Sequence, residues 1–282
     1  MALPVEKLGT VYPEFVDEID GDRAKAYAAA TNDDNPAYTS GKYAPPVFAV
    51  VPAWRALLGV VGDAVPPEAV MMTVHGEQDM HFAQPIIPGT TLLTTASPFS
   101  IRVAASGTRF TIRIRSVDQK TNDPVVEQYI TMFIRGMVDG AGAGPDKPDH
   151  AFAEEARANP IGDLSVHVDD DQTFRYRDAS GDQMPIHVDD DFAKQVGLPG
   201  IIAHGLCTMA MTSQAVLRLA AESDPARLRR LAVRFAKNVF PGNDVITSVY
   251  QGATNGGRVS YPYEAHCAGA LVISNGLAEV DA

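Results

Sequence analysis

Tyr27-Ala-Ala-Ala-Thr-Asn-Asp33-Asp-Asn35-Pro36-Ala-Tyr38 returns 149 residues later as Tyr176-Arg-Asp-Ala-Ser-Gly-Asp182-Gln-Met184-Pro185-Ile-His187, so that Asp33 lies over Asp182, Pro36 over Pro185 and Tyr38 over His187. A second landmark follows each stretch. His81-Phe-Ala-Gln-Pro-Ile-Ile-Pro88-Gly89 lies over Arg234-Phe-Ala-Lys-Asn-Val-Phe-Pro241-Gly242, now 153 residues apart. The chain is thus one plan written twice, and its 282 residues suit two domains of ordinary size. We place the first module at residues 1–135 and the second at 161–282. Residues 136–160, rich in Gly, Ala, Pro and Asp, read as the linker between them.

Each copy runs in the same order: a motif turn, an apolar helix, then strands. Gly205 to Ala221 is apolar almost all round, as a helix must be if a sheet wraps it. Phe110, Ile112 and Ile114 alternate with Thr111, Arg113 and Arg115, and Val126, Gln128, Ile130, Met132 and Ile134 form another period-two run. Asp244 to Ala253 and Arg258 to Glu264 flank Thr-Asn255-Gly256-Gly257, a hairpin signal, while Pro262 predicts an edge or a bulge. The expected class is α+β, with an antiparallel sheet around one central helix, present twice. In the first copy Pro52 interrupts the apolar run Val47 to Val61, which predicts a helix that begins near Pro52 and is shorter than its counterpart. A shorter helix would leave volume for a long or bulky ligand.

The chemistry concentrates in the second turn. Pro185 denies Asp182 and His187 a regular helix, so both side chains can face one small volume. A carboxylate and an imidazole there can hold a water molecule and move a proton through it, which makes addition or removal of water the first hypothesis. The plainer reading is that both residues satisfy a turn. Tyr38, with an ordinary pKa near 10, cannot shuttle protons at neutral pH as His187 can, so the first copy is expected to be inactive. Gly205 opens the apolar helix and would expose its unpaired N–H to a developing negative charge, or else serve close packing. His204 is expected to be a structural hydrogen-bonder, and Cys207 a small core residue.

Composition narrows the field. The apolar fraction is 45%, and no run approaches the roughly 20 apolar residues of a bilayer span, so no membrane is expected. The ends of the chain carry no recognisable address, and Cys207 and Cys267 give no disulfide framework, which together read as cytoplasmic. A net charge of −12 argues against nucleic acid as a partner. His75 and His81 lack the close ligand pair that a metal site requires.

The stretch Tyr176 to His187 closely resembles the signature of the R-specific enoyl-CoA hydratases (hydratase 2, MaoC-like), in which an aromatic residue precedes Ser-Gly-Asp-x-Asn-Pro-x-His. Gly200-Ile-Ile-Ala-His204-Gly205-Leu206 is similar to that family's apolar run into a His-Gly pair. His75-Gly-Glu-Gln78 looks like a segment of its two-module members. Met184 departs from the pattern, standing where the family has asparagine, and costs the turn one hydrogen bond. The resemblance implies a double hotdog fold packed as an intramolecular pseudo-dimer. It also implies cofactor-free, reversible hydration of a trans-2-enoyl-CoA to the (R)-3-hydroxyacyl-CoA. Asp182, His187 and Gly205 would be catalytic, with Met184 and Leu206 beside the substrate and the first module shaping its tunnel. For the coenzyme A phosphates, Arg227, Arg229, Arg230, Arg234 and Lys237 crowd one segment. On a strand from Leu231 onward, Leu231, Val233 and Phe235 would face inward, and Arg230, Arg234 and Lys237 could guide the nucleotide; a solvated strand face is the alternative. A hotdog thioesterase and a non-catalytic acyl-CoA-binding subunit are the rival functions. The sequence leaves open the acyl group and whether the chain works alone or as a homodimer.

Overall fold

The computed structural model describes residues 1–282. In chain order the elements are β1 (Phe15–Glu18), α1 (Gly21–Ala30), α2 (Pro36–Thr39), α3 (Val50–Ala64), α4 (Pro67–Val70), β2 (Thr73–Phe82), β3 (Thr91–Ala104), β4 (Gly107–Asp118) and β5 (Pro124–Arg135). They continue with β6 (Pro160–His167), α5 (Gln172–Ser180), α6 (Asp190–Gln195), α7 (Gly205–Ala220), β7 (Leu228–Phe235), β8 (Asp244–Tyr250), β9 (Thr254–Asn255), β10 (Arg258–Cys267) and β11 (Ala270–Asp281).

Two compact units arise. One holds residues 1–18, 52–84 and 90–149, and the other holds 19–51, 85–89 and 150–282. In the first unit the antiparallel strands run in the order β1-β3-β4-β5-β2. The alternation read from the sequence holds here: Phe110, Ile112 and Ile114 are buried with Ile130 and Ile134, against Ala53, Ala56, Leu57 and Val60 of α3. In β2, His75 pairs with Met132 and Glu77 with Thr131, so Gly76 is the extra residue of a bulge. A side chain at Gly76 would press on the Thr131 carbonyl at 3.2 Å, which explains glycine there.

The second unit orders its antiparallel strands β7-β11-β10-β8-β6, with β9 paired to β10. The helix α7 packs on β6, β7, β8, β10 and β11, and Leu206 to Leu217 are all buried, as a wrapped helix requires. Gly256 and Gly257 form the expected two-residue hairpin turn between β9 and β10, with φ +57° and +79°. Pro262 pairs with Leu277 of β11, while pairing with β8 starts only at Tyr263, so the proline costs no ladder bond. The 19–51 segment, although N-terminal, packs inside this unit, and α1 lies against α5.

Three expectations need correction. The helix α3 has 15 residues against 16 for α7, so it is not appreciably shorter. Pro52 is its third residue, in the first turn, where a missing N–H breaks no helical bond. What distinguishes α3 is exposure of one face, with Arg55, Leu58 and Gly62 in solvent. The stretch Pro46–Ala64, with mean hydropathy 1.5, is also long and apolar enough to cross a bilayer by length and composition alone, although its buried residues from Ala53 onward are core of the first unit. Lastly, the 136–160 stretch is tied down. Ala143 bridges to Ile101, the His150 Nδ1–H donates to the Asn275 carbonyl at 2.7 Å, and Arg157 pairs with Glu264 at 2.7 Å.

Candidate active site

Helix α5 ends at Gly181, whose φ of +86° turns the chain abruptly toward Asp182. The Ser180 hydroxyl accepts the Asp182 N–H at 3.1 Å, and Asp182 Oδ1 accepts the Met184 N–H at 3.1 Å. Pro185 then starts a single 3-10 turn that ends on His187, which is 7% exposed. The His187 Nδ1–H donates to the Ile202 carbonyl at 2.8 Å. A carbonyl can only accept, so Nδ1 carries the proton and the Nε2 lone pair is free. Side-chain atoms of Asp182, His187 and His204 lie within 4.8 Å of one another.

Burial acts on the pair in opposite directions. Desolvation raises the Asp182 carboxyl above its ordinary range, and the Met184 N–H and His187 only partly oppose it. Desolvation also lowers His187, against its bond to Ile202 and the attraction of Asp182. Both shifts disfavour the charged form, so the carboxyl and the imidazole are drawn toward each other in proton affinity.

Helix α7 starts directly behind this pair. His204 is its N-cap but makes no side-chain capping bond, and the first helical bond runs from the Thr208 N–H to the His204 carbonyl. The N–H groups of the first turn, Gly205 foremost, therefore have no helical partner. A side chain at Gly205 would meet the Phe235 ring at 3.3 Å, so close packing accounts for a glycine there. Leu206 is buried in the same turn, and Met184 is 46% exposed in the loop that carries Asp182.

The expected basic patch is only partly present. Arg230, expected to face outward, is 7% exposed and pairs with Glu279 at 3.4 Å. Arg229 pairs with Asp281 at 2.5 Å and Arg227 with Glu222 at 3.1 Å. Glu279 and Asp281 lie on β11, so a reading of one strand could not foresee them. Arg234 and Lys237 are exposed, near the end of β7 whose Phe235 touches Gly205.

The first turn copies the geometry with Tyr38 in place of the imidazole. Asp33 Oδ1 accepts the Asn35 N–H at 3.1 Å, as Asp182 does with Met184, and burial pushes its carboxyl up to about 6. Tyr38 is 1% exposed and its hydroxyl has no hydrogen-bond partner. A hollow of about 490 Å³ lies beside this turn, lined by Lys25, Ala28, Ala29, Asn32, Asp33, Asp34 and Thr39.

Structure also reveals what braces the second turn. The Arg23 guanidinium, from α1, donates to the Ala179 and Ser180 carbonyls at 2.8 and 2.9 Å, capping the end of α5. The Tyr27 and Tyr176 hydroxyls share a hydrogen bond of 2.9 Å in the core. Tyr176 packs on His204 at 4.8 Å, and His204 stacks on His187 at 3.8 Å and 26°. Recurrence of tyrosine at 27 and 176 was the available sequence signal. The trio Asp182, His187 and His204 is a poor metal site, because stacked rings aim their lone pairs alongside one another and two ring nitrogens are held by carbonyls.

Comparison with known proteins gives the family. Residues 152–262 match the MaoC like domain, and residues 39–136 match the MFE-2 hydratase 2 N-terminal domain. The chain is 30% identical over 224 residues to 3-hydroxyacyl-thioester dehydratase Y of Mycobacterium tuberculosis, covering 78% of this chain and 74% of that one. It is 26% identical to a probable enoyl-CoA hydratase 2 of Dictyostelium discoideum, covering 75% and 71%. Against the peroxisomal multifunctional enzyme type 2 of Mus musculus, 28% identity covers 82% of this chain but 31% of that much longer protein. In fold it resembles a MaoC-like dehydratase of Phytophthora capsici, with TM-score 0.81, 24% identity and 99% and 97% of the two chains covered. A Mycobacterium tuberculosis protein described as a double hotdog follows at TM-score 0.61 and 14% identity, covering 97% of this chain and 96% of that one. From these matches, the chain belongs to the MaoC-like hydratase 2 family of double hotdog proteins.

Proposed function

We propose that this protein is a hydro-lyase that reversibly adds water to a trans-2-enoyl-CoA, giving the (R)-3-hydroxyacyl-CoA. The observation that carries the reading is the pairing of Asp182 with His187 in one partly buried turn, in front of the open first turn of α7. In the hydration direction, the His187 Nε2 lone pair takes a proton from water as the water oxygen bonds C3 of the enoyl group. The C2–C3 π electrons shift toward the thioester oxygen, where the Gly205 N–H stabilises the enolate; such a donor is worth roughly 3 kcal/mol of barrier. The enolate then takes a proton at C2 from the Asp182 carboxyl. Proton transfer from His187 to Asp182 restores the starting state, so atoms and charge balance and no electrons leave the system. The R configuration comes with the family.

Arg234 and Lys237 are the cations we assign to the coenzyme A phosphates, being exposed at the Gly205 end of β7. A long or bulky acyl group suits this site, because exposed Met184 lays apolar surface beside Asp182. A cytoplasmic setting is supported by two buried, free thiols, Cys207 and Cys267. The test of function is incubation with a trans-2-enoyl-CoA while following enoyl absorbance and free thiol. Loss of absorbance without thiol supports hydration, and thiol release would move the assignment to thioester hydrolysis.

A further inference from the structure

His204 belongs to none of the chemical steps, yet it touches every part of the site. Its Nε2–H donates to the Asp182 backbone carbonyl at 3.3 Å, and its ring stacks on His187. Its backbone carbonyl accepts the first helical bond of α7, directly before Gly205. Behind it stand Tyr176 and, through the hydroxyl pair, Tyr27 from the first copy's motif helix. The residue is 1% exposed, and its Nδ1 has no hydrogen-bond partner. An imidazole buried with one nitrogen unsatisfied is costly, and a phenylalanine would pack there without that cost. The imidazole must therefore supply something that a plain ring does not.

We propose that His204 is the positioning residue of this site, a neutral imidazole that fixes the ring plane of His187 and the backbone of Asp182 at once. The inference rests on the hydration reading above and goes further, since it assigns the alignment of the pair to one side chain. His204 stays uncharged because burial, with His187 and Arg177 facing it, pushes it down to about 3, while the Asp182 carbonyl pulls only weakly the other way. Were it protonated, its charge would lie 3.8 Å from the His187 ring and disfavour the imidazolium that forms during turnover. The titratable groups around the stack are Asp182, His187, Arg177, Tyr176, Tyr27 and Cys207; burial raises both tyrosines and holds Cys207 near 12, so they stay neutral. The first copy then contributes to turnover through Tyr27, which holds Tyr176 against the stack, rather than through chemistry of its own.

The experiment compares wild type with His204→Ala, His204→Phe and His204→Gln, using enoyl-CoA turnover against pH and nitrogen NMR of the His187 ring. His204→Ala should lower kcat at least 30-fold with KM within threefold. It should also move the acidic limb of the kcat profile upward, as His187 regains contact with water. Its NMR should show both His187 tautomers where wild type shows only Nδ1–H. His204→Phe, which keeps the stack, should hold the wild-type tautomer and limb while losing up to tenfold in kcat. His204→Gln, which keeps a donor but no ring, should resemble the alanine variant in tautomer. A folded His204→Ala or His204→Gln with one His187 tautomer and an unmoved limb overturns the proposal. If His204→Ala does not fold, a displaced tautomer in His204→Phe overturns it equally. NMR reads the positioning whether or not enoyl-CoA is a substrate, so an inactive wild type with the expected NMR changes would fault the hydration reading alone.

Discussion

Two copies of one turn differ most at single residues, and the differences are measurable. Asp33 is 6% exposed and its carboxyl is raised from 3.8 to about 6, chiefly by burial. A carboxyl raised on folding stabilises fully below its unfolded value and loses that contribution as pH climbs through its folded value. Between pH 4 and pH 6 wild type should therefore lose stability relative to Asp33→Asn, on the order of 2–3 kcal/mol by denaturant titration at the two ends. Equal pH slopes in both proteins would contradict the burial of Asp33. Tyr38→Phe removes a hydroxyl without a partner and should leave both stability and kcat within threefold of wild type. At Met184, substitution by Asn should restore a turn hydrogen bond of roughly 1 kcal/mol and keep activity on short acyl groups. Activity lost selectively on long acyl groups would show that the thioether serves the substrate. The motif residues themselves were legible in the sequence because their spacing is local. His204 was read only as a structural hydrogen-bonder, because stacking on His187 appears only once residues 17 positions apart fold together.

Secondary structure was legible where local chemistry decides it. The Gly256-Gly257 turn, the glycine that opens α7 and the tolerated Pro262 all follow from backbone requirements that neighbouring residues cannot override. The helix α3 was misjudged because Pro52 was taken to mark its start, when the helix reaches back to Val50 and holds the proline in its first turn. At Gly276 of β11, an added side chain would stand 2.4 Å from the Tyr263 carbonyl and 2.6 Å from its ring, with Tyr263 fully buried. Gly276→Ala should therefore destabilise by roughly 2–3 kcal/mol in denaturant titration. A change under about 0.5 kcal/mol would mean that β10 and β11 pack more loosely than described. Arg23 connects element to function, since it caps the helix that delivers Asp182. Arg23→Ala should lower kcat several-fold with less effect on KM, because two charge-assisted bonds to the end of α5 are lost. A rise in KM alone would instead mark Arg23 as a substrate contact.

At the scale of the whole molecule, duplication predicted an antiparallel set of strands with one long helix in each half, and each compact unit holds such a set. What sequence could not reveal is that residues 19–51 pack with residues 150–282, which brings the first copy's motif helix against the second's. That association depends on buried pairs such as Tyr27 with Tyr176, whose partners are 149 residues apart. It also gives the first copy's motif helix a structural part beside the second turn, through Arg23 and Tyr27. The central claim is that Asp182 and His187 add water to an enoyl thioester. Its most direct test is the rate at which the purified protein consumes trans-2-enoyl-CoA absorbance, with free thiol followed in parallel, beside folded Asp182→Asn and His187→Ala. The account predicts absorbance loss without thiol in wild type and a kcat lowered by roughly 10² to 10⁴ in each variant. Thiol release matching the absorbance change, or near-normal turnover in either folded variant, would contradict it.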